Sequence, residues 1–345
     1  QFIKSAPVSR ALAERNVVDE IVVHTGQHFD TDMSDVFFEQ LGLRAPDVHL
    51  SIHGRSHGAM TGRMLTALER TMIDFGPERV LVYGDTNSTL AGALAASKLN
   101  IPVAHVEAGL RSFDRRMPEE VNRVVTDHLS EILFCPTETS VANLEKEGRT
   151  APHVHVDRVG DVMLDASVLF RTAARKPEGL DLPDDFVLAT VHRAENTDDP
   201  RSLAGIVSAL SAVHNEVLPV VMPLHPRTAR ALAKYGLEPT VTKLTPVGYL
   251  EMLWLLERAS VIATDSGGLQ KEAFFFGKPC ITMRSSTEWT ELVDAGANVL
   301  TGTDPRRIYA ATEEALRHGM RSSSDLYGSG EAAQRIARRL VNELS

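Results

Sequence analysis

Three carboxylates and one histidine stand directly behind short apolar runs, the place where an α/β chain carries its chemistry. Asp85 follows Val80–Tyr83, Glu107 ends the run Val103–Val106, Glu119 opens a helical stretch behind Pro118, and His192 follows Val187–Val191. Asp85, Glu107 and Glu119 are enough to abstract a proton and to protonate a leaving group if they share a site. Each has a plainer reading beside it. The turn Gly84-Asp85-Thr86-Asn87-Ser88-Thr89 can be ordinary helix capping, and Glu119-Glu120 in a first helical turn complements the helix dipole without any catalysis. Glu107 resists such a reading, because it ends a strand that otherwise reads as fully buried.

The second half carries groups suited to an anion. His192-Arg193 and His225-Pro226-Arg227 each sit at a strand end and fit a diphosphate, although single histidines are most often structural. In Thr264-Asp265-Ser266-Gly267-Gly268-Leu269-Gln270-Lys271-Glu272 a strand, a Ser-Gly-Gly turn and a helix follow in order. Backbone N–H groups of Ser266, Gly267 and Gly268 can cradle phosphate at such a helix start, and Glu272 can reach a ribose diol. A Gly-Gly turn alone is weak support. The run is neither the G-x-G-x-x-G dinucleotide fingerprint nor a P-loop, and no H-E-x-x-H occurs, so neither a redox cofactor nor a metal is expected.

The elements that must position these groups alternate. Short β-branched runs (Ile21–Val23, Val80–Val82, Val103–Val106, Ile132–Phe134, Val154–Val156) are separated by stretches of helical spacing such as Thr86–Lys98 and Pro118–Ser130. A second set follows the polar stretch Arg175–Asp185: Val187–Val191, Pro219–Met222, Val241-Thr242, Val261–Thr264 and Cys280–Met283. The expectation is two doubly wound α/β domains, residues 1–165 and 166–330, with a hinge near residues 160–175, a ligand cleft between them, and an amphipathic helix at 331–345 packing back on the first. Gln1–Asn16 reads as a helix with no strand before it, so a first strand is expected ahead of Gln1. The chain has 345 residues, 43% of them hydrophobic, and a net charge of −10, which suits a large core and disfavours a nucleic-acid or anionic-membrane surface. Its two cysteines, Cys135 and Cys280, read as buried strand thiols in a reducing compartment, and no apolar stretch is long enough to span a bilayer; a cytoplasmic protein is expected.

Taken in order, Thr25-Gly26-Gln27-His28, Gly84-Asp85-Thr86, His105–Arg111, Pro118–Arg123, His192–Asn196 and Thr264–Glu272 resemble the non-hydrolysing UDP-N-acetylglucosamine 2-epimerases over nearly the whole chain. The resemblance implies two Rossmann-like domains in a glycosyltransferase B arrangement, a homodimer, and epimerisation at C2 of a UDP-activated 2-acetamido sugar, UDP-N-acetylglucosamine to UDP-N-acetylmannosamine, through a 2-acetamidoglucal, with UDP-2,3-diacetamido-2,3-dideoxy-glucuronic acid as the alternative substrate. It implies acid/base roles for Asp85, Glu107 and Glu119 and a diphosphate role for His192. Contacts to substrate are implied for Lys4, Arg111, Ser266, Gly267, Gly268 and Glu272. Two departures stand out. Members activated by their own substrate carry a Gln-His-Arg-rich run where this chain has Gln27-His28-Phe29-Asp30. Thr287-Glu288-Trp289-Thr290-Glu291 places Trp289 where the familiar enzymes have Arg-Pro, resembling a branch acting on UDP-2,3-diacetamido-2,3-dideoxy-glucuronic acid. Trp289 is thereby expected near the sugar and diphosphate, with a core tryptophan as the alternative. A glycosyltransferase of the same fold, a nucleotide-sugar sensor and a hydrolysing epimerase are the competing functions.

Overall fold

The structure, a computed structural model, describes residues 1–27, 44–54, 56–179, 182–320 and 325–344. His28, Phe29 and Asp30 lie outside the described residues. Two compact units form: Gln1–Leu169 with Asp325–Ser345, and Phe170–Ser324.

Unit 1 contains α1 (Phe2–Ala13), β1 (Val23–His24), β2 (Val48–His49), α2 (His57–Phe75), β3 (Val80–Tyr83), α3 (Asn87–Lys98), β4 (Val103–Val106), α4 (Pro118–Leu129), β5 (Ile132–Cys135), α5 (Glu138–Lys146), β6 (His155–Arg158), most of α6 (Val162–Arg171), and α14 (Ala332–Leu344). Strands β3-β4-β5-β6 form one parallel sheet, and β1-β2 a short parallel pair. The period of two sorts the side chains. Ala104, Val106, Ile132 and Phe134 pack with Val8, Leu12 and Ile336 of α1 and α14. Val82 and Val103 pack on the other side with Met64, Met72 and the alanines of α3. His105 shares that second direction, in a strand whose four residues are all buried.

Unit 2 contains β7 (Val187–Thr190), α7 (Ala194–Thr197), α8 (Pro200–Glu216), β8 (Val220–Pro223), α9 (Pro226–Tyr235), β9 (Thr242–Leu244), α10 (Tyr249–Arg258), β10 (Val261–Thr264), α11 (Gly267–Phe275), β11 (Cys280–Thr282), α12 (Thr290–Asp294), β12 (Asn298–Leu300) and α13 (Pro305–His318). Its six parallel strands run in the order β12-β11-β10-β7-β8-β9. From β7 the chain winds outward through β8 and β9, then returns to the other side of β7 as β10. The strand order therefore reverses between β7 and β10, the point at which open parallel sheets bind ligands beyond their carboxyl ends. Helix starts follow local rules: Pro200, Pro226 and Pro305 each occupy a first position behind a capping Asp199, His225 or Asp304. Cys135 and Cys280 are free and buried in β5 and β11, and burial pushes the Cys280 thiol up to about 12.

Candidate active site

In unit 1 the site grows from the turns after β3 and β4. The capping reading of the first turn applies to its neighbour: Thr86 caps α3 and forms a reciprocal box with Thr89. Asp85 is left free of that duty and pairs with Arg123 of α4. Asn122, one residue earlier on α4, donates to the Asp85 carbonyl at 2.9 Å. Burial raises the Asp85 pKa, Arg123 and Lys4 pull it down, and the negative charges of Glu107 and Glu119 push it up again. Asp85 thus senses both other carboxylates and both cations. Glu107 is buried directly after β4, holds a left-handed φ of 71°, and pairs with Lys4 from the first turn of α1. A non-glycine residue in that conformation is held there by its surroundings.

Glu119 is exposed at the start of α4, whereas Glu120 is buried. Glu120 accepts from Ser112 N (2.9 Å), Phe113 N (3.0 Å) and Arg123 Nη2 (2.9 Å). Burial alone would raise its pKa, but these donors and the guanidinium hold it below the ordinary value. Glu120 is scaffold that fixes Arg123, which in turn fixes Asp85.

Arg111 departs from the expectation of a substrate contact. Its guanidinium is 1% exposed and closed off by Glu147 (2.7 and 2.6 Å), Asp127 (2.7 Å) and its neighbour's carbonyl (2.7 Å). A side chain so saturated with acceptors is part of the frame of unit 1.

In unit 2 the loops after β7 and β10 meet at the switch point. Asp265 is fully buried and accepts from the backbone N–H groups of His192 and Arg193 and from Asn196 Nδ2, each at 3.0 Å. It ties the two loops together. His192 keeps its ring partly exposed, with Nδ1 3.4 Å from Asp265 and the ring centroid 5.5 Å from that of His225. Burial lowers the His192 pKa, and His225, Arg193 and Arg227 lower it further against the pull of Asp265. His225 Nδ1 accepts from Arg227 N at 3.1 Å and so caps α9, and burial and Arg227 lower its pKa.

Ser266 caps α11 through Leu269 N at 3.4 Å. A side chain at Gly267 would run into Glu288 Oε1 and lie 3.4 Å from Arg193 Nη2, while one at Gly268 would meet nothing within 4 Å. Glu272 is buried in the second turn of α11. Glu288 joins Arg284 at 2.9 Å and Arg193 at 3.7 Å. Trp289 is interior, 4% exposed, with the Lys271 ammonium 4.2 Å from its ring centre. It is buried, and it directly follows Glu288, which lies against Gly267 and Arg193. Among the described residues no cluster of three or more His, Cys, Asp or Glu could hold a metal ion.

Comparison with known proteins bears on this arrangement. The model of the family described as UDP-N-acetylglucosamine 2-epimerase matches residues 10–341. The chain belongs to that family. It is 56% identical, over 99% of its own length and 96% of the relative, to a UDP-2,3-diacetamido-2,3-dideoxy-D-glucuronate 2-epimerase of Pseudomonas aeruginosa. It is 35% identical, over 99% and 96% of the two chains, to a UDP-N-acetylglucosamine 2-epimerase of Escherichia coli K12. The crystal structure of Methanocaldococcus jannaschii UDP-GlcNAc 2-epimerase with UDP-GlcNAc and UDP superposes with a TM-score of 0.90 at 41% identity, covering 99% of this chain and 97% of that one. A Streptomyces nogalater glycosyltransferase, at 15% identity and a TM-score of 0.53, shares the fold alone. The chain is an α/β member of an epimerase family, as its motifs imply.

Four residues of this family member lay unassigned within the quoted motifs or outside them: His105, Arg123, Asp127 and Asp265. Part of the signal was present, since Glu119, Arg123 and Asp127 recur at intervals of four along α4 and so share one helix face.

Proposed function

We propose that this chain epimerises C2 of a UDP-activated 2-acetamido sugar without hydrolysing it. The observation that carries the reading is the placement of Asp85 and Glu107, paired with Arg123 and Lys4, behind adjacent strands of unit 1, with Glu119 at the start of α4 near enough to push the Asp85 pKa up by its charge. A carboxylate removes the C2 proton, the C1–O bond breaks with its electron pair leaving on UDP, and a 2-acetamidoglucal remains. A proton then reaches C2 from the opposite face while a UDP oxygen re-forms the bond to C1. Removal on one face and delivery on the other need two differently placed groups, which a single acid/base residue cannot supply. Departure of the diphosphate is assisted by His192, Arg193 and the N–H groups at the start of α11, where Ser266, Gly267 and Gly268 lie; Glu272 serves the ribose.

For the sugar we favour UDP-2,3-diacetamido-2,3-dideoxy-D-glucuronate over UDP-N-acetylglucosamine. Identity falls from 56% to the Pseudomonas enzyme of that name to 35% to the Escherichia coli enzyme. The same reading makes the protein a cytoplasmic homodimer serving surface-polysaccharide synthesis. The test is NMR of each UDP-sugar with enzyme in deuterated water. Deuterium must enter C2 as the epimer appears, faster for the diacetamido uronate. Epimer formation without C2 exchange, or UDP release that depends on an added acceptor, would overturn the mechanism.

A further inference from the structure

His105 and Asp127 form a pair with no exposure at all, and the reaction as described makes no use of either. His105 Nδ1 lies 2.7 Å from Asp127 Oδ1, and its Nε2 lies 2.7 Å from the carbonyl oxygen of Gly84. That carbonyl immediately precedes Asp85. Asp127 Oδ2 accepts from Gly109 N at 3.2 Å, two residues beyond Glu107, and contacts Arg111 Nη1 at 2.7 Å. One buried chain of polar contacts therefore runs from the turn bearing Asp85, through a strand histidine, to a carboxylate on α4, and back to the turn bearing Glu107.

Burying such a pair gains little net stability over apolar residues of the same size. What it adds is direction, because the pair ties β4 and α4 to the turn after β3 through Gly84 and to the turn after β4 through Gly109 and Arg111. The same face of α4 presents Asn122 and Arg123 to Asp85. Burial would raise the Asp127 pKa, but the hydrogen bond and charge of His105 and the charge of Arg111 hold it low, so the carboxylate end of the chain is ionised.

We propose that the buried His105–Asp127 pair is a positioning device that holds the turns carrying Asp85 and Glu107 in register. It acts through those two carboxylates and touches no substrate, and its catalytic consequence rests on the epimerase reading above. Loosening either turn by about an ångström costs on the order of 10²-fold in rate when the groups must meet a substrate proton.

The test compares wild type with His105→Gln, whose single amide nitrogen cannot occupy both ring-nitrogen positions, and with the isosteric Asp127→Asn, which keeps the packing volume should His105→Gln fail to fold. Two quantities are read. Amide exchange by mass spectrometry, without substrate, should quicken ~10-fold or more in residues 83–88 and 107–111, while residues 132–135 of β5 keep their protection. Turnover in the C2-exchange assay should fall ~10- to 10²-fold with KM changed by less than about threefold. Equal quickening everywhere, no quickening in the two turns, or a loss confined to KM would overturn the proposal. Because exchange is read without substrate, it decides the matter even if the wild-type protein epimerised neither sugar, an outcome that would fall on the functional reading alone.

Discussion

Replacing Gly109 by alanine probes the frame of the candidate site with one carbon atom. Gly109 lies two residues beyond Glu107 with a φ of 78°, donates to Asp127 at 3.2 Å and accepts from Asn143 Nδ2 at 3.1 Å. An added Cβ would stand 2.8 Å from the Ser140 carbonyl carbon and closer still to its oxygen. That backbone cannot yield, since Thr137 and Ser140 lock the start of α5 in a reciprocal capping box. The left-handed conformation costs alanine about 1–2 kcal/mol, and crowding a packed interior costs about 1–3 kcal/mol more. For a unit of this size roughly 2–4 °C is lost per kcal/mol, so Tm should fall by roughly 4–20 °C. The alternative to that strain is displacement of the turn, which carries Glu107 with it and lowers C2 exchange. Gly268→Ala supplies the control, because its Cβ would meet nothing within 4 Å and its φ is not left-handed; its Tm should stay within about 1 °C. Differential scanning calorimetry of both variants, with the exchange assay run in parallel, checks the difference. A Gly109→Ala protein with wild-type Tm and wild-type exchange would refute the account of this turn.

Three further outcomes are expected. Asp85→Asn, Glu107→Gln and Glu119→Gln should each lose ~10²-fold or more in rate while circular dichroism stays native; near-wild-type turnover by Glu107→Gln would remove it from the chemistry. Arg123→Met withdraws the cation nearest Asp85, whose carboxyl burial already raises, so any limb of the pH–rate profile that follows Asp85 should move to higher pH; an unmoved profile would detach Asp85 from the observed limb. Glu120 is held below its ordinary value of 4.5, so the stability it gives is complete above that pH and is lost as pH falls through its lower folded value. The urea midpoint of Glu120→Gln should therefore trail wild type at pH 7 and converge with it toward pH 3, and a gap that widened in acid would contradict the assignment.

The strands were legible wherever β-branched residues run together, which covers β3 to β5 and β7, β8 and β10. The pairs and triplets β2 (Val48–His49) and β12 (Asn298–Leu300) were not, because two or three residues carry no periodicity. Asn298, polar yet buried, donates its Nδ2 to Gln270 at 3.2 Å, a partner 28 residues away that no local pattern announces. Trp289 is buried although Ser285, Ser286 and Thr290 around it are exposed, because distant partners hold the half-buried residues before it: Thr287 donates to Gln270 at 2.7 Å and Glu288 is held by Arg284 at 2.9 Å. Arg111 looks like a free cation until the fold delivers Asp127 and Glu147 to it. Sequence position identified the strand-end carboxylates, whereas the partners that aim them come from elements far along the chain.

The electrostatics of the two units also differ in kind. In unit 1 the carboxylates outnumber the cations set against them: Lys4 and Arg123 stand against Asp85, Glu107, Glu119 and the structural Glu120. At the switch point of unit 2 basic side chains gather instead: His192, Arg193, His225 and Arg227 surround a buried Asp265 that is itself occupied with backbone N–H groups, while Glu288 and Asp198 hold Arg193 at 3.7 Å and Arg227 at 2.7 Å. Burial and neighbouring cations keep both histidine pKa values low, so an arriving anion would be welcomed by the arginines and would itself favour protonation of His192. Base-rich and anion-receptive sites are the two demands of a reaction in which one bond releases a proton and another releases a diphosphate. On the proposed reading, substitutions at the anion-receptive residues of unit 2 should weaken UDP binding, while those at Asp85, Glu107 and Glu119 should leave it largely intact.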